Sequence, residues 1–368
     1  MRIFDCDHCR QPVYFDNRQC VSCHSRLGFH PARLAVVALE PVNGDFWRLR
    51  ASPEKQVRFC ANSNLDICNW LAELNDENAY CVACRHNRLI PNTGNDQGIE
   101  RWRRISQAQR HLFYSLLRLR LPHPDRQSDP AGGLVFDFLE DQIAGDGSLI
   151  PAMTGHEEGL IAIRVAEADD VTREQARASM DEPYRTLLGH FRHEVGHFMW
   201  DRLVRDRIEV DSFRTLFGDE RDDYGQALQR HYEQGPILDW QDSFISAYAS
   251  VHPWEDFAEC FAHYLHIVDT LETARSYGMS IDPRNHQEMA AEIDFDPYRA
   301  KDAEQLLKAW IPISLAINAI QRSMGQPDFY PFVLTPVVIA KLDYLHDLLH
   351  GDMYPVCAVQ HDASGQAS

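Results

Sequence analysis

The chain has 368 residues, of which 44% are hydrophobic and 25% charged, enough for one large domain and a small one or for two of medium size. Its 36 Lys and Arg against 55 Asp and Glu leave a formal net charge of −19, which argues against broad binding to nucleic acid or to an anionic membrane. No apolar run is long enough to span a bilayer and the first residues lack a signal-peptide core, so a reducing cytoplasm is expected, where the ten cysteines favour metal binding over disulfides.

Eight of those cysteines precede residue 85. Cys6-x-x-Cys9 and Cys20-x-x-Cys23 each offer two thiolates from one tight turn, and two such pairs complete a tetrahedral metal site. Between them Val13-Tyr14-Phe15 reads as a short strand and Asp16-Asn17 as a turn. Together these features resemble a zinc ribbon with rubredoxin-type knuckles, which implies a structural zinc. Cys20-Val21-Ser22-Cys23-His24 also fits a c-type haem attachment pattern, but the partner pair nearby favours metal over haem and over a redox dithiol.

Cys60, Cys68, Cys81 and Cys84 form a second set, expected to hold a second structural zinc. The alternative is that the widely spaced Cys60 and Cys68 are simply small buried residues. Leu34–Glu40, Phe46–Leu49 and Val57–Phe59 read as short strands between the two sets. A site closed by four thiolates has no open position for chemistry, so this head is expected to fold the chain or to bind a protein partner. Its basic residues, such as Arg48, Arg50, Lys55, Arg58, Arg85 and Arg88, lie scattered among acids, so nucleic acid is not the expected partner.

Residues 90–98 are rich in turn formers and mark a domain boundary. A helix is expected over 97–120, with Ile105, Leu112, Phe113, Leu116 and Leu117 on one side. Residues 134–139 read as a strand, 145–148 as a turn, and 159–166 as the best strand of the chain. A further helix is expected over 170–180, and Glu182-Pro183 opens the next.

From 184 to 205, Leu187, Leu188, Phe191, Val195, Phe198 and Leu203 form an apolar stripe, as on a helix packed against a core. That helix carries His193-Glu194-Val195-Gly196-His197. Residues four apart share a helix face, so His193 and His197 can aim imidazole nitrogens at one metal ion. Glu194 then sits beside the metal, where it can take a proton from a bound water. This spacing is the zinc metalloprotease signature. His190 could also reach the site and is read as a packing or supporting histidine. In zinc peptidases generally an edge strand near the zinc helix pairs with extended substrate. Residues 159–166 could play that part, or could equally form an internal strand.

A catalytic zinc takes three protein ligands and keeps one position open. No His-x-x-Gly-x-x-His continuation follows His197, which disfavours the metzincin type. Downstream, Pro253 suits a helix start, and Glu255 and Glu259 share a face of that helix. One carboxylate can bind zinc while the other hydrogen-bonds a ligand histidine. Spacing alone does not choose between them, and Asp256 and His252 are weaker alternatives. Cys260 reads as a core residue.

The run Glu255-Asp256-Phe257-Ala258-Glu259, with Tyr248 seven residues before Glu255, resembles gluzincins of the anthrax lethal factor type. More closely, residues 184–194, 252–274 and 322–332 carry a resemblance to a bacterial family of zinc-binding metallopeptidases with an N-terminal zinc ribbon. That resemblance covers most of the chain. It implies Glu255 as the third zinc ligand, Glu259 as a hydrogen-bond partner of a ligand histidine, and Tyr248 as an aid to the reaction.

Helices over 224–235, 242–250, 300–324 (interrupted near Pro312) and 335–349 complete the chain. Arg322 and Tyr330 are read as packing residues that could also line a cleft. The expected fold is α+β: a small β-rich zinc-ribbon-like domain over 1–92, a mainly helical zincin-type metallopeptidase domain with a small sheet over 98–358, and a disordered tail over 359–368. The expected function is a zinc metallopeptidase with one catalytic and two structural zinc ions, acting on a peptide or protein. Glu194 serves as general base toward a zinc-activated water, and Tyr248 hydrogen-bonds the developing oxyanion. The rival readings are a non-catalytic zinc scaffold that recruits a partner through the cysteine head, and a zinc hydrolase of a non-peptide amide.

Overall fold

A computed structural model describes residues 1–174, 186–206 and 210–351. Residues 175–180 of the helix expected over 170–180, the start at Glu182-Pro183 and the tail over 359–368 lie outside them.

The head is built around turns because its cysteines sit at turns. β1 (Phe4–Asp5) pairs antiparallel with β2 (Pro12–Val13) around the first knuckle. Arg10 and His24, each one residue past a knuckle, adopt left-handed φ values of 65° and 56°. Their amides return to the Cys6 and Cys20 carbonyls at 2.8 and 3.0 Å, so the two knuckles make the same turn. β3 (Arg26–His30), β4 (Ala35–Pro41), β5 (Phe46–Leu49), β6 (Ser52–Phe59) and β7 (Leu71–Glu73) follow as an antiparallel meander in sequence order.

α1 (Asp96–Leu119) begins at Asn95, whose side chain accepts from the Gly98 amide. It ties the head to the rest of the chain. Phe15 and Phe29 of the head meet Tyr114 of α1 with ring centroids 5.5 and 6.1 Å apart. The buried Arg110 donates to the Ile67 carbonyl at 2.6 Å and to the Asp16 carboxylate at 3.2 Å. One continuous apolar core runs through both parts.

The second sheet is small. β8 (Asn87–Leu89) and β9 (Val135–Leu139) run parallel, and a short hairpin of β10 (Gln142–Ile143) and β11 (Leu149–Ile150) stands apart from them. β12 (Gly155–Glu157) and β13 (Leu160–Arg164) complete the order β12-β13-β9-β8. β13 pairs with β9 on one side and β12 on the other, so of the two readings of 159–166 the internal strand holds. The edge is β12, whose Gly-His-Glu sequence has none of the apolar alternation that marks a strand.

Helices supply the remainder: α2 (Leu187–Leu203), α3 (Val210–Phe217), α4 (Tyr224–Gln234), α5 (Pro253–Ser276), α6 (Ala303–Ser323) and α7 (Pro336–His350). α2 lies on the sheet through Phe191, whose ring stands 5.6 and 6.0 Å from Phe136 and Phe138 of β9. Two expectations change. α6 runs unbroken through Pro312, which is buried, so packing outweighs the one lost backbone bond. Residues 242–250 are not a helix; only short 3-10 turns form, at Trp240–Asp242 and Tyr248–Ser250. Between them Ser246 turns inward to donate to Glu259 at 2.6 Å, a contact that a continuous helix would not present in the same way. Among the described residues no helix is long and apolar enough to cross a membrane.

Candidate active site

α2 starts where Thr186 accepts from the Gly189 amide, and it buries Leu187, Phe191, Val195, Phe198 and Leu203 as the stripe requires. It crosses α5 closely at Gly196. A Cβ at that position would stand 2.8 Å from the Ala258 Cα, so only glycine lets the two backbones approach this far. α5 starts at His252, whose Nδ1 accepts from the Trp254 amide, with Pro253 in the first turn. Ala258 lies between Glu255 and Glu259, so the crossing carries both carboxylates to the histidines of α2.

The His193 and His197 Nε2 atoms are 3.2 Å apart, and Glu255 Oε2 lies 3.0 and 3.4 Å from them. Bonds of about 2.0–2.1 Å to nitrogen and oxygen separate tetrahedral zinc ligands by about 3.3 Å, so the three atoms fit one ion. Glu255 Oε2 is buried and has no hydrogen-bond partner among the described residues, as expected of an oxygen reserved for a cation. Burial disfavours the Glu255 anion, but His197 and His193 outweigh it and hold the carboxyl well below its usual range.

The supports of these ligands are equally specific. His193 Nδ1 donates to Glu259 Oε1 at 2.6 Å, which fixes the tautomer and turns the Nε2 lone pair toward the centre. Tyr224 of α4 donates to Glu255 Oε1 at 2.7 Å. His190 bridges two acids, donating from Nδ1 to Glu167 Oε2 at 2.7 Å and from Nε2 to Glu194 Oε1 at 3.1 Å. Burial would push the Glu194 carboxyl up, but His190, with His193 and His197, holds it down to about 2. The Tyr248 ring lies 5.8 Å from that of His193, and its phenol is raised above its ordinary value by burial and by the nearby Glu255.

A cavity of about 610 Å³ opens in front of this cluster. Glu194, Tyr248 and Thr154 line it, as do the apolar side chains of Phe244, Ala262 and Phe332. Phe332 is braced against His263, with centroids 4.4 Å apart, and His263 in turn hydrogen-bonds Tyr330 at 2.8 Å. Tyr330 is therefore a buried brace of the cavity, whereas Arg322 pairs with Asp328 at the surface. Cys260 is buried, as its core reading requires.

The cysteine sets gather as two separate clusters, Cys6, Cys9, Cys20 and Cys23, and Cys60, Cys68, Cys81 and Cys84, with the sulfurs of each within 4.8 Å of one another. Sulfur pairs stand 3.6 to 3.8 Å apart. Zinc–sulfur bonds of about 2.3 Å imply a separation of about 3.8 Å, far longer than a disulfide of about 2.05 Å. Cys60 and Cys68 are thus joined to Cys81 and Cys84 rather than merely buried.

Sequence reasoning named His193, His197 and Glu255, which converge here, together with Glu194, Glu259 and Tyr248 around them, and it missed Tyr224, Glu167 and Ser246. Tyr224 stands 31 residues before Glu255 and Glu167 stands 23 before His190, separations that no helical period connects.

Comparison with known proteins identifies the family. Residues 98–348 match a family described as "Putative zinc-binding metallo-peptidase", and residues 3–95 match a zinc-ribbon domain. Uncharacterized proteins from Mycobacterium tuberculosis and Mycobacterium bovis are 39% identical over 350 residues, covering 95% of this chain and 95% of each relative. No solved structure matches. With a family match over most of its length, a zinc ribbon ahead of it and a His-His-Glu cluster within it, the chain belongs to this family described as zinc-binding metallo-peptidases.

Proposed function

We propose that the chain is a zinc-dependent peptidase of the gluzincin type, with His193, His197 and Glu255 holding a catalytic zinc and Glu194 as general base. The observation that carries this reading is Glu194 Oε2. It is buried without a hydrogen-bond partner among the described residues, beside three converging metal-compatible atoms and at the wall of the cavity. Zinc, when bound, acidifies a water and polarises a carbonyl. Glu194, kept ionised by its surroundings, takes the proton from that water and passes it to the leaving amine. Tyr248 keeps its phenolic proton and donates to the developing oxyanion. The edge strand β12, reached through Thr154 at the cavity, pairs with an extended peptide, and the apolar lining accommodates a side chain. The two cysteine clusters act as structural zinc sites, in a head that also offers a surface to a protein partner. Such thiolates persist in a reducing compartment, so the reading takes the cytoplasm as the site of action.

The decisive test compares wild type with Glu194→Gln on a whole-proteome peptide mixture. New termini are expected with wild type alone, and turnover on any cleaved peptide falls roughly 10²- to 10⁴-fold in the variant while its metal content stays unchanged. Equal cleavage by the two proteins overturns the reading.

A further inference from the structure

His190 lies outside the metal cluster and one helical turn before Glu194, on the same face of α2. Its ring is held between two carboxylates, at 2.7 Å from Glu167 and 3.1 Å from Glu194. Side-chain exposures of 10%, 5% and 8% for His190, Glu167 and Glu194 put all three away from bulk water. An ionised carboxylate only accepts, so both ring nitrogens donate and the ring cannot flip without losing both bonds. Neither nitrogen keeps a lone pair for a metal, so His190 is not a fourth ligand. Glu167 belongs to a short 3-10 turn that directly follows β13, so the bridge runs from the sheet to the zinc-binding helix. On Glu194 one oxygen is tied to His190, and the other, Oε2, is the buried atom without a partner among the described residues.

From this arrangement we infer that His190, held in turn by Glu167, is the positioning residue that aims Glu194 Oε2 into the cavity. A glutamate has three rotatable bonds, and a base must meet its proton within hydrogen-bond reach. Tying Oε1 to a ring that is itself anchored to the sheet leaves Oε2 a single direction. The imidazolium also offsets the charge of two buried acids that would otherwise repel. Burial alone would strip its proton, but Glu167 and Glu194 outweigh that and raise His190 to about 10. Glu167 reaches Glu194 through His190: its carboxylate meets the ring nitrogen on the far side from Glu194.

The catalytic consequence rests on the peptidase reading, and the hydrogen-bonded bridge does not. Two measurements on the zinc-loaded full chain separate them. The first uses a peptide cleaved by wild type. His190→Ala lowers kcat roughly 10- to 100-fold with KM and metal content unchanged, and Glu167→Gln lowers it less. The double variant loses less than the product of the two single losses, because the effect of Glu167 on Glu194 passes through His190. Additive losses, or a loss carried by KM, overturn the inference. If His190→Ala does not fold, His190→Gln, which keeps most of the volume and a donor, takes its place in the same cycle. The second measurement is NMR of protein labelled with ¹⁵N-histidine, with His190 assigned by its disappearance in the variant. Both ring nitrogens carry protons from pH 7 to pH 8 if the bridge exists; an unprotonated nitrogen overturns the inference whether or not the protein cleaves anything. A wild type that cleaves nothing but shows the doubly protonated ring ends the peptidase reading and leaves the bridge standing.

Discussion

The two metal-compatible regions of this molecule differ in what surrounds the metal position. In each cysteine cluster four like ligands close around one point, and the second cluster is wholly buried. At the histidine cluster two imidazoles and one carboxylate meet, and a cavity of about 610 Å³ lies against them. The cysteine clusters draw on knuckles that close within a few residues, joined in the second cluster by the more widely spaced Cys60 and Cys68. The histidine cluster depends on two helices brought together from sequence positions some 60 residues apart, as in the His193–Glu259 bond. A site closed by four thiolates suits folding, whereas a three-ligand arrangement beside a cavity leaves a position open for chemistry under the proposed function. The difference explains why one chain carries both kinds of site.

The comparison can be broken in three places. The largest effect is expected at the second cysteine cluster. Cys81→Ser removes one thiolate from a site whose metal, by analogy with zinc-finger peptides, contributes about 10–16 kcal/mol, as much as a whole domain's stability. Soluble yield and the cooperative thermal transition are both expected to be lost. A variant that melts like wild type would show that the cluster does not hold the head together.

His197→Ala comes next, and its effect is of a different kind. Metal analysis is expected to fall from three equivalents to two, with the circular dichroism spectrum kept and the melting temperature moved by no more than a few degrees. In wild type a chelator is expected to strip this same equivalent first. Unfolding like that of Cys81→Ser would erase the distinction between a structural and a functional site.

The smallest effect is at Glu259, which touches the metal position only through His193. Glu259→Gln keeps the shape and weakens the acceptor, so metal affinity at this site is expected to fall about 10- to 100-fold in chelator competition. Cysteine-bound metal should not respond. An unchanged affinity would mean that the His193 tautomer is set by something else.

Much of this was legible beforehand, and the reason is the range of the signals. A Cys-x-x-Cys knuckle and a His-Glu-x-x-His turn state their geometry within five residues, because one turn of backbone fixes the angle between the side chains. The helix start at Pro253 is equally local, whereas the cap of α2 is Thr186 and not the Glu182-Pro183 that the sequence suggested. Glu255 was harder: Glu259 has the same periodicity, and the choice came from resemblance, not from spacing. β12 escaped because three residues of Gly-His-Glu carry no strand pattern. The expected helix over 242–250 failed because Ser246 is bound to Glu259, a tertiary contact that outweighs local preference.

The sequence by itself determined the ligand types, their pairing within each turn and the face on which α2 is buried, since these follow from the periods of helix and knuckle. Only the tertiary structure decided which carboxylate faces the two histidines, that Tyr224 hydrogen-bonds it, and that Glu167 holds His190 against Glu194. Those partners come from separate elements. They meet because Gly196 lets α2 and α5 close to contact and because the sheet delivers Glu167 beneath the helix, and no local rule of sequence encodes either approach.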